Sequence, residues 1–189
     1  MRTLILARHG ESDYSARGLC NGDPAIPVGL TERGREQAAR LGRELADVDL
    51  QLGAASEFPR TQETADIALA GRSIPRLVLP ELNDISYGEL EDCTREQYHA
   101  WQQQHGRHAR LPGGESRSDV GHRAGAALNL LLSRDEEVIL AVSHELLIEM
   151  VLNAVEGRDL TAVRRVEYAT PERLTEDAAR GAAALLIRH

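Results

Sequence analysis

Three stretches of the chain put arginine and histidine where a short apolar run gives way to a helix or loop. They are TLILARHGES with Arg8 and His9, ASEFPRTQETA with Arg60, and VILAVSHELLIEM with Ser143 and His144. The apolar runs read as buried strands, and in open α/β sheets ligands bind in the crevice outside the strands' carboxyl ends. Gathered there, Arg8, Arg60, His9 and His144 would make a compact cationic pocket. Guanidinium forks match phosphate oxygens bidentately, and helix N-termini add backbone N–H donors. The chemistry these residues suit is the binding of a phosphoryl group. A histidine after a strand is more often a satisfied polar residue, and an arginine near a helix start a surface ion pair. What sets these apart is their recurrence at matching topological positions.

Such a pocket needs strands and helices in alternation. Apolar runs predict strands at Thr3–Ala7, Leu77–Leu79, Val138–Val142 and Ala183–Ile187, with a weaker one at Leu50–Ala54. Helical periodicity follows Thr31, placed as an N-cap, with Ala38, Leu41 and Leu45 on one face. Pro59 stands at a first helical position before residues 59–70, and Ser116 and Asp119 have capping-box spacing. A further helix starts after His144 and carries Leu147, Ile148, Val151, Leu152 and Val155, while Gly106–Gly114 reads as an irregular loop. The expected architecture is one α/β domain over residues 1–189, a three-layer sandwich with a mostly parallel central sheet and helices on both faces.

Composition narrows the chemistry. The 189 residues suit one domain with a substantial core, and 42% hydrophobic with 28% charged residues is ordinary for a globular chain. The net charge of −8 argues against nucleic-acid or anionic-membrane partners. All 22 basic residues are arginine, so neither a Schiff-base lysine nor a P-loop lysine is available. No run reaches the length of a membrane span, and the N-terminal apolar run is too short for a signal peptide. Cys20 and Cys93 read as isolated thiols of a cytoplasmic protein, with a bridge between them disfavoured. The histidines at 99, 105 and 108 have no partner carboxylate or cysteine nearby, so no metal and no cofactor is expected.

The segments ARHGES (Ala7–Ser12), SEFPRTQETA (Ser56–Ala65), LNDISYGELE (Leu82–Glu91), PGGES (Pro112–Ser116) and VSHELLIEMVL (Val142–Leu152) occur in an order that resembles the histidine phosphatase superfamily. The phosphoglycerate-mutase-like group is the nearest, with GLTERGREQA (Gly29–Ala38) in support, and the resemblance covers essentially the whole chain. It implies that His9 is a nucleophile that becomes transiently phosphorylated, and that Arg8, Arg60 and His144 hold the phosphoryl oxygens. Splitting phosphoryl transfer through a phospho-enzyme replaces one hard step with two easier ones, and nearby arginines keep an attacking imidazole neutral. The general acid falls on Asp84, one methylene shorter than the family's common glutamate, with Glu81 in reserve.

Other positions depart from the family pattern. Glu145 stands where glycine is usual; it is read either as an outward carboxylate in a first helical turn or as a group discriminating against highly anionic substrates. Ser15 stands where asparagine is frequent and is kept as a phosphate contact, while Glu149 replaces a frequent arginine and reads as a surface position. Residues 94–115 are read as a lid, and Cys20, Asn21, Trp101, His105 and Arg107 join Glu145 as specificity candidates. The expected activity is metal-independent hydrolysis of a small-molecule phosphate ester through phosphohistidine, by a protein that could form a homodimer. The alternatives are a cofactor-dependent phosphoglycerate mutase, for whose additional segments the chain looks too short, and a non-catalytic phosphate- or phosphopeptide-binding regulator. A phosphoprotein phosphatase lies between them.

Overall fold

Alternation along the apolar runs decides the layers. The computed structural model describes residues 2–106 and 108–188. Its sheet has the strand order β3-β2-β4-β1-β5, from β1 (Thr3–Arg8), β2 (Leu52–Ala55), β3 (Arg76–Val78), β4 (Val138–Ser143) and β5 (Pro171–Thr175). Only β5 runs antiparallel to its neighbour. Leu4, Leu6, Leu52, Ala54, Ile139 and Ala141 face one core, and Ile5, Ala7, Ala55, Leu140 and Val142 face the other. Because successive strand residues point to opposite faces, two apolar faces require two helical layers. One is α2 (Glu32–Glu44) with α3 (Pro59–Ala68); the other is α5 (Arg117–Leu132), α6 (Glu145–Val155) and α7 (Glu176–Arg188). This is the expected three-layer α/β sandwich.

The helix starts follow their local signals. The Thr31 side chain accepts from Gly34 N at 3.0 Å, and Pro59 opens α3. At α5, Asp119 Oδ2 accepts from Ser116 N at 2.7 Å while Ser116 Oγ accepts from Asp119 N at 3.2 Å. Two further helices border the site, α1 (Asp13–Ala16) and α4 (Arg95–His105).

The C-terminal expectation is overturned. Ala183–Ile187 lies within α7, where Ala179, Ala182, Ala183 and Leu186 are buried at helical spacing. The fifth strand is instead Pro171–Thr175, whose one buried residue is Leu174. An edge strand pairs on one side only and tolerates a proline at its first residue, so it carries little apolar signal. No helix among the described residues is long and apolar enough to cross a membrane.

The register brings the three chemical segments together. Val142 pairs with Ala7 on one side and Ala55 on the other, so β1, β2 and β4 end in one row. β4 lies between β1 and β2 although it comes after both in sequence, which makes a crevice at the carboxyl edge. His9, Ser56 and His144 are the residues that leave that row.

Candidate active site

His9 is buried immediately after β1, with its N–H donating to Ser143 O at 3.0 Å. Its Nδ1 lies 2.6 Å from Gly10 O, and Arg60 Nε lies 3.2 Å from its Nε2. A carbonyl can only accept and a guanidinium can only donate, so Nδ1 carries the proton and Nε2 presents a lone pair. Burial lowers the basicity of His9 well below that of an ordinary imidazole, and Arg60 and Arg8 add to the effect. Gly10 is required here. A Cβ on it would fall 2.4 Å from Gly34 O, where α2 comes against the His9 turn.

Arg60 reaches the pocket from the first turn of α3 and ties the others together. Its Nη1 donates to Asn21 Oδ1 at 2.5 Å, and its Nη2 lies 3.1 Å from Asn21 O, 3.2 Å from Asp84 Oδ2 and 3.2 Å from His144 Nδ1. Its guanidinium also stacks 4.3 Å over the Phe58 ring. His144 is fully buried, 5.3 Å from the His9 ring between centroids, with its Nε2 2.9 Å from Ser56 Oγ. Burial first and then Arg60 hold it well below its ordinary basicity, so it too is neutral.

Arg8 is buried across the pocket. Its Nη1 donates to Val166 O at 2.8 Å, its Nη2 lies 3.0 Å from Glu145 Oε2, and its guanidinium covers the Tyr168 ring at 3.9 Å. Its Nε has no hydrogen-bond partner among the described residues. A buried guanidinium N–H left without an acceptor is costly unless a ligand supplies one.

Asp84 is the carboxylate that reaches this cluster. Its Oδ1 accepts from Ile85 N at 3.0 Å, and its Oδ2 lies 3.4 Å from His144 Nδ1 as well as against Arg60. Burial raises its pKa above the usual carboxylate value, making it a weaker acid, with Arg60 opposing the rise. Glu81, in the short turn Pro80–Leu82, does not line the cavity. What fixes the Asp84 loop is Arg123 of α5, which no sequence signal singled out. Its Nη1 donates to Glu81 O at 3.2 Å and Asn83 O at 2.9 Å, its Nη2 to Asp84 O at 3.1 Å, and Glu115 accepts from its remaining face at 2.8 Å. Replacing Arg123 with alanine is expected to lower kcat on the order of tenfold to a hundredfold with KM changed less than about threefold. Steady-state kinetics on the soluble variant check it.

Arg8, His9, Asn21, Arg60 and Asp84 line a cavity of about 300 Å³, the small end of ligand-site volumes, while His144 lies fully buried behind that wall. Ser15 also lines it, although its hydroxyl works in the capping box of α1, donating to Ser12 O at 2.9 Å and accepting from Ser12 N at 2.7 Å. Asn21 acts on Arg60 and is anchored in turn by Glu91 and Asp23. Cys20 and Cys93 are not isolated. Cys20 N donates to Cys93 O at 2.9 Å, both thiols are free, and burial with its Cys93 neighbour pushes the Cys20 thiol up to about 12. The thiols are unbridged as expected; their proximity, which the sequence did not show, comes from an antiparallel bridge between Leu19 and Thr94 that brings segments far apart in sequence together.

The α4 segment is a wall of the cavity, but with different residues from those expected. Arg95, Tyr98, His99 and Gln102 face it, at helical spacing. That spacing turns Trp101 and His105 away from the cavity, where their rings stack at 4.6 Å. Arg107 lies outside the described residues. No group of histidine, cysteine, aspartate or glutamate among the described residues is arranged to hold a metal.

Two glutamates of α6 also differ from simple surface positions. Glu145 Oε2 lies between Arg8 and Arg95, 3.0 Å from one and 3.6 Å from the other. Glu149 is buried rather than on the surface; it accepts from Arg117 Nη2 at 2.5 Å and from Arg164 N at 3.0 Å, anchoring the segment that forms the cavity mouth. The i, i+4 relation to Glu145 puts it on the same helix face, a signal the sequence did carry.

A family model described as the histidine phosphatase superfamily (branch 1) matches residues 4–181. The adenosylcobalamin/alpha-ribazole phosphatase of Escherichia coli K12 is 32% identical over 169 residues, 85% of this chain and 82% of its own. The 2,3-bisphosphoglycerate-dependent phosphoglycerate mutase of Bartonella henselae is 32% identical over 187 residues, 89% of this chain and 88% of its own. The crystal structure of the alpha-ribazole phosphatase from Shigella flexneri superposes with a TM-score of 0.80 at 30% identity, over 90% of this chain and 89% of that one.

Proposed function

The chain belongs to the histidine phosphatase superfamily (branch 1), and we propose that it hydrolyses the phosphate monoester of a small metabolite through a phosphorylated His9. The observation that carries this is the neutral His9 with its Nε2 lone pair facing Arg60, and Asp84 across the same pocket. His9 Nε2 attacks phosphorus as the bond to the leaving oxygen breaks. Arg8 and Arg60 take up the charge on the phosphoryl oxygens, and His144 completes their cradle. The Nδ1 proton, held by Gly10 O, stabilises the cationic phosphoimidazole. Asp84, protonated, gives its proton to the leaving alkoxide; as carboxylate it then takes one from the attacking water, the P–N bond breaks and phosphate departs. The two arginines supply the charge this sequence of steps requires, so phosphate release is expected to continue in EDTA.

Asp84→Asn tests the assignment. Turnover of an alkyl phosphate is expected to fall by about 10²- to 10⁴-fold, and p-nitrophenyl phosphate, whose leaving group needs no proton, should give a burst of nitrophenol followed by slow turnover. The pH dependence follows from the directions of the shifts. Since His9 is depressed, its neutral form persists on the acid side of the ordinary imidazole range. Since the acid form of Asp84 is required and its value is raised, the alkyl ester's rate declines as pH rises through the Asp84 titration. A burst-free variant with near-native rates would move the acid to another group.

Mutase activity is the second reading, favoured by the Bartonella relative. Length does not separate the two, because this chain spans 88% of that mutase. Isomerisation of 3-phosphoglycerate with 2,3-bisphosphoglycerate present, outpacing phosphate release, would select it.

A further inference from the structure

The charges around the cavity are closely matched. Arg117 is paired with Glu149 at 2.5 Å, and at the mouth Arg164 is paired with Glu156 and Arg165 with Glu167 at 2.5 and 2.8 Å. Glu145 Oε2 serves both Arg8 and Arg95, which leaves one arginine charge of that trio uncompensated. Arg60 has Asp84 as its counterion, and becomes a second uncompensated charge when Asp84 holds a proton. Two free positive charges answer one phosphoryl dianion and leave nothing for a second anionic group. The remaining wall offers ring and aliphatic surface from Leu19, Tyr14, Tyr98, Leu146 and Val163.

From this arrangement we propose that Glu145 is a specificity-determining residue, which makes the site prefer monoesters whose leaving group is uncharged and disfavour those bearing a carboxylate or second phosphate. This deepens the phosphatase reading above and rests on it for where the phosphoryl group sits. Glu145 stands at the first turn of α6, partly exposed and on the cavity side, where the rest of an ester must pass. It acts in two ways. Its carboxylate repels a second anion directly, and it occupies Arg95, a guanidinium of the same cavity wall that could otherwise receive one. At an effective dielectric of about 20, a like charge some 6 Å away and partly screened by solvent weakens binding on the order of tenfold.

The test uses glycerol 3-phosphate and 3-phosphoglycerate, which share a skeleton and differ in a hydroxymethyl against a carboxylate. Two measurements are made on Glu145, Glu145→Gln and Glu145→Asp proteins: kcat/KM for phosphate release, and calorimetric affinity in a His9→Ala background, where neither ester turns over. The native protein is expected to favour glycerol 3-phosphate by about tenfold or more in both measurements. Glu145→Gln should shrink that preference by on the order of tenfold, chiefly by improving 3-phosphoglycerate, while Glu145→Asp, which keeps the charge, retains it. Equal preference in native and Glu145→Gln proteins, or native preference for 3-phosphoglycerate, overturns the inference. If calorimetry shows the charge discrimination but no ester is hydrolysed, the phosphatase reading falls and the role of Glu145 stands.

Discussion

His9→Ala is expected to lower phosphate release by on the order of 10⁴-fold or more, the scale on which loss of an enzyme's nucleophile is felt. The substitution removes the imidazole whose Nε2 lone pair faces Arg60 while its Nδ1 is held by the Gly10 carbonyl. His144, 5.3 Å away between ring centroids, is fully buried and does not line the cavity, so it is not placed to replace it. Rapid quenching with labelled substrate should give acid-labile, base-stable protein-bound phosphate in the native enzyme and none in the variant. Residual turnover within about tenfold of native, with no labelled protein in either, would mean direct attack by water and would remove the covalent mechanism.

Arg60→Ala is expected to lower kcat/KM by on the order of 10³-fold, at the upper end for one preorganised charge-stabilising donor. One guanidinium here contacts His9, Asn21, Asp84 and His144 at 2.5 to 3.2 Å, so its loss removes charge and geometry together. The signs of the accompanying pH changes are opposed to the native arrangement. Arg60 lowers the His9 value, so without it protonated His9 is favoured and the acid limb of the profile moves toward neutral pH. Arg60 also lowers Asp84, so without it the carboxyl stays protonated to higher pH and the alkaline limb moves up. Arg60→Lys should restore little, since a single ammonium cannot present separate nitrogens to His9, Asn21 and Asp84. A lysine variant within about tenfold of native would show that only the charge matters.

Ligand chemistry was legible wherever it was written as a local pattern. Arg8 and His9 end an apolar run, Arg60 follows a proline that starts a helix, and His144 closes another run; each is set by strand and helix signals a few residues long. The capping residues Thr31 and Ser116 act as read, because a cap depends on neighbours three positions away. The amphipathic α7 was the local failure. Its alanine-rich, six-residue apolar run (Ala182–Ile187) satisfies strand and helix patterns alike, and only the covering of the sheet's second face selects the helix.

By itself, then, the sequence determined that a parallel α/β sheet delivers two arginines and two histidines to one edge, and that these suit phosphoryl chemistry. The tertiary structure alone decided which partners those residues meet. Arg123 gripping the Asp84 loop, Asn21 holding Arg60, Glu149 buried on Arg117, and Cys20 against Cys93 all join segments distant along the chain. So does the pairing of Glu145 with both Arg8 and Arg95. The physical reason is range. Propensity, periodicity and capping act over a few residues, whereas the protonation of His9 and the charge left for a substrate depend on burial and on charges within several ångströms, which only packing assembles.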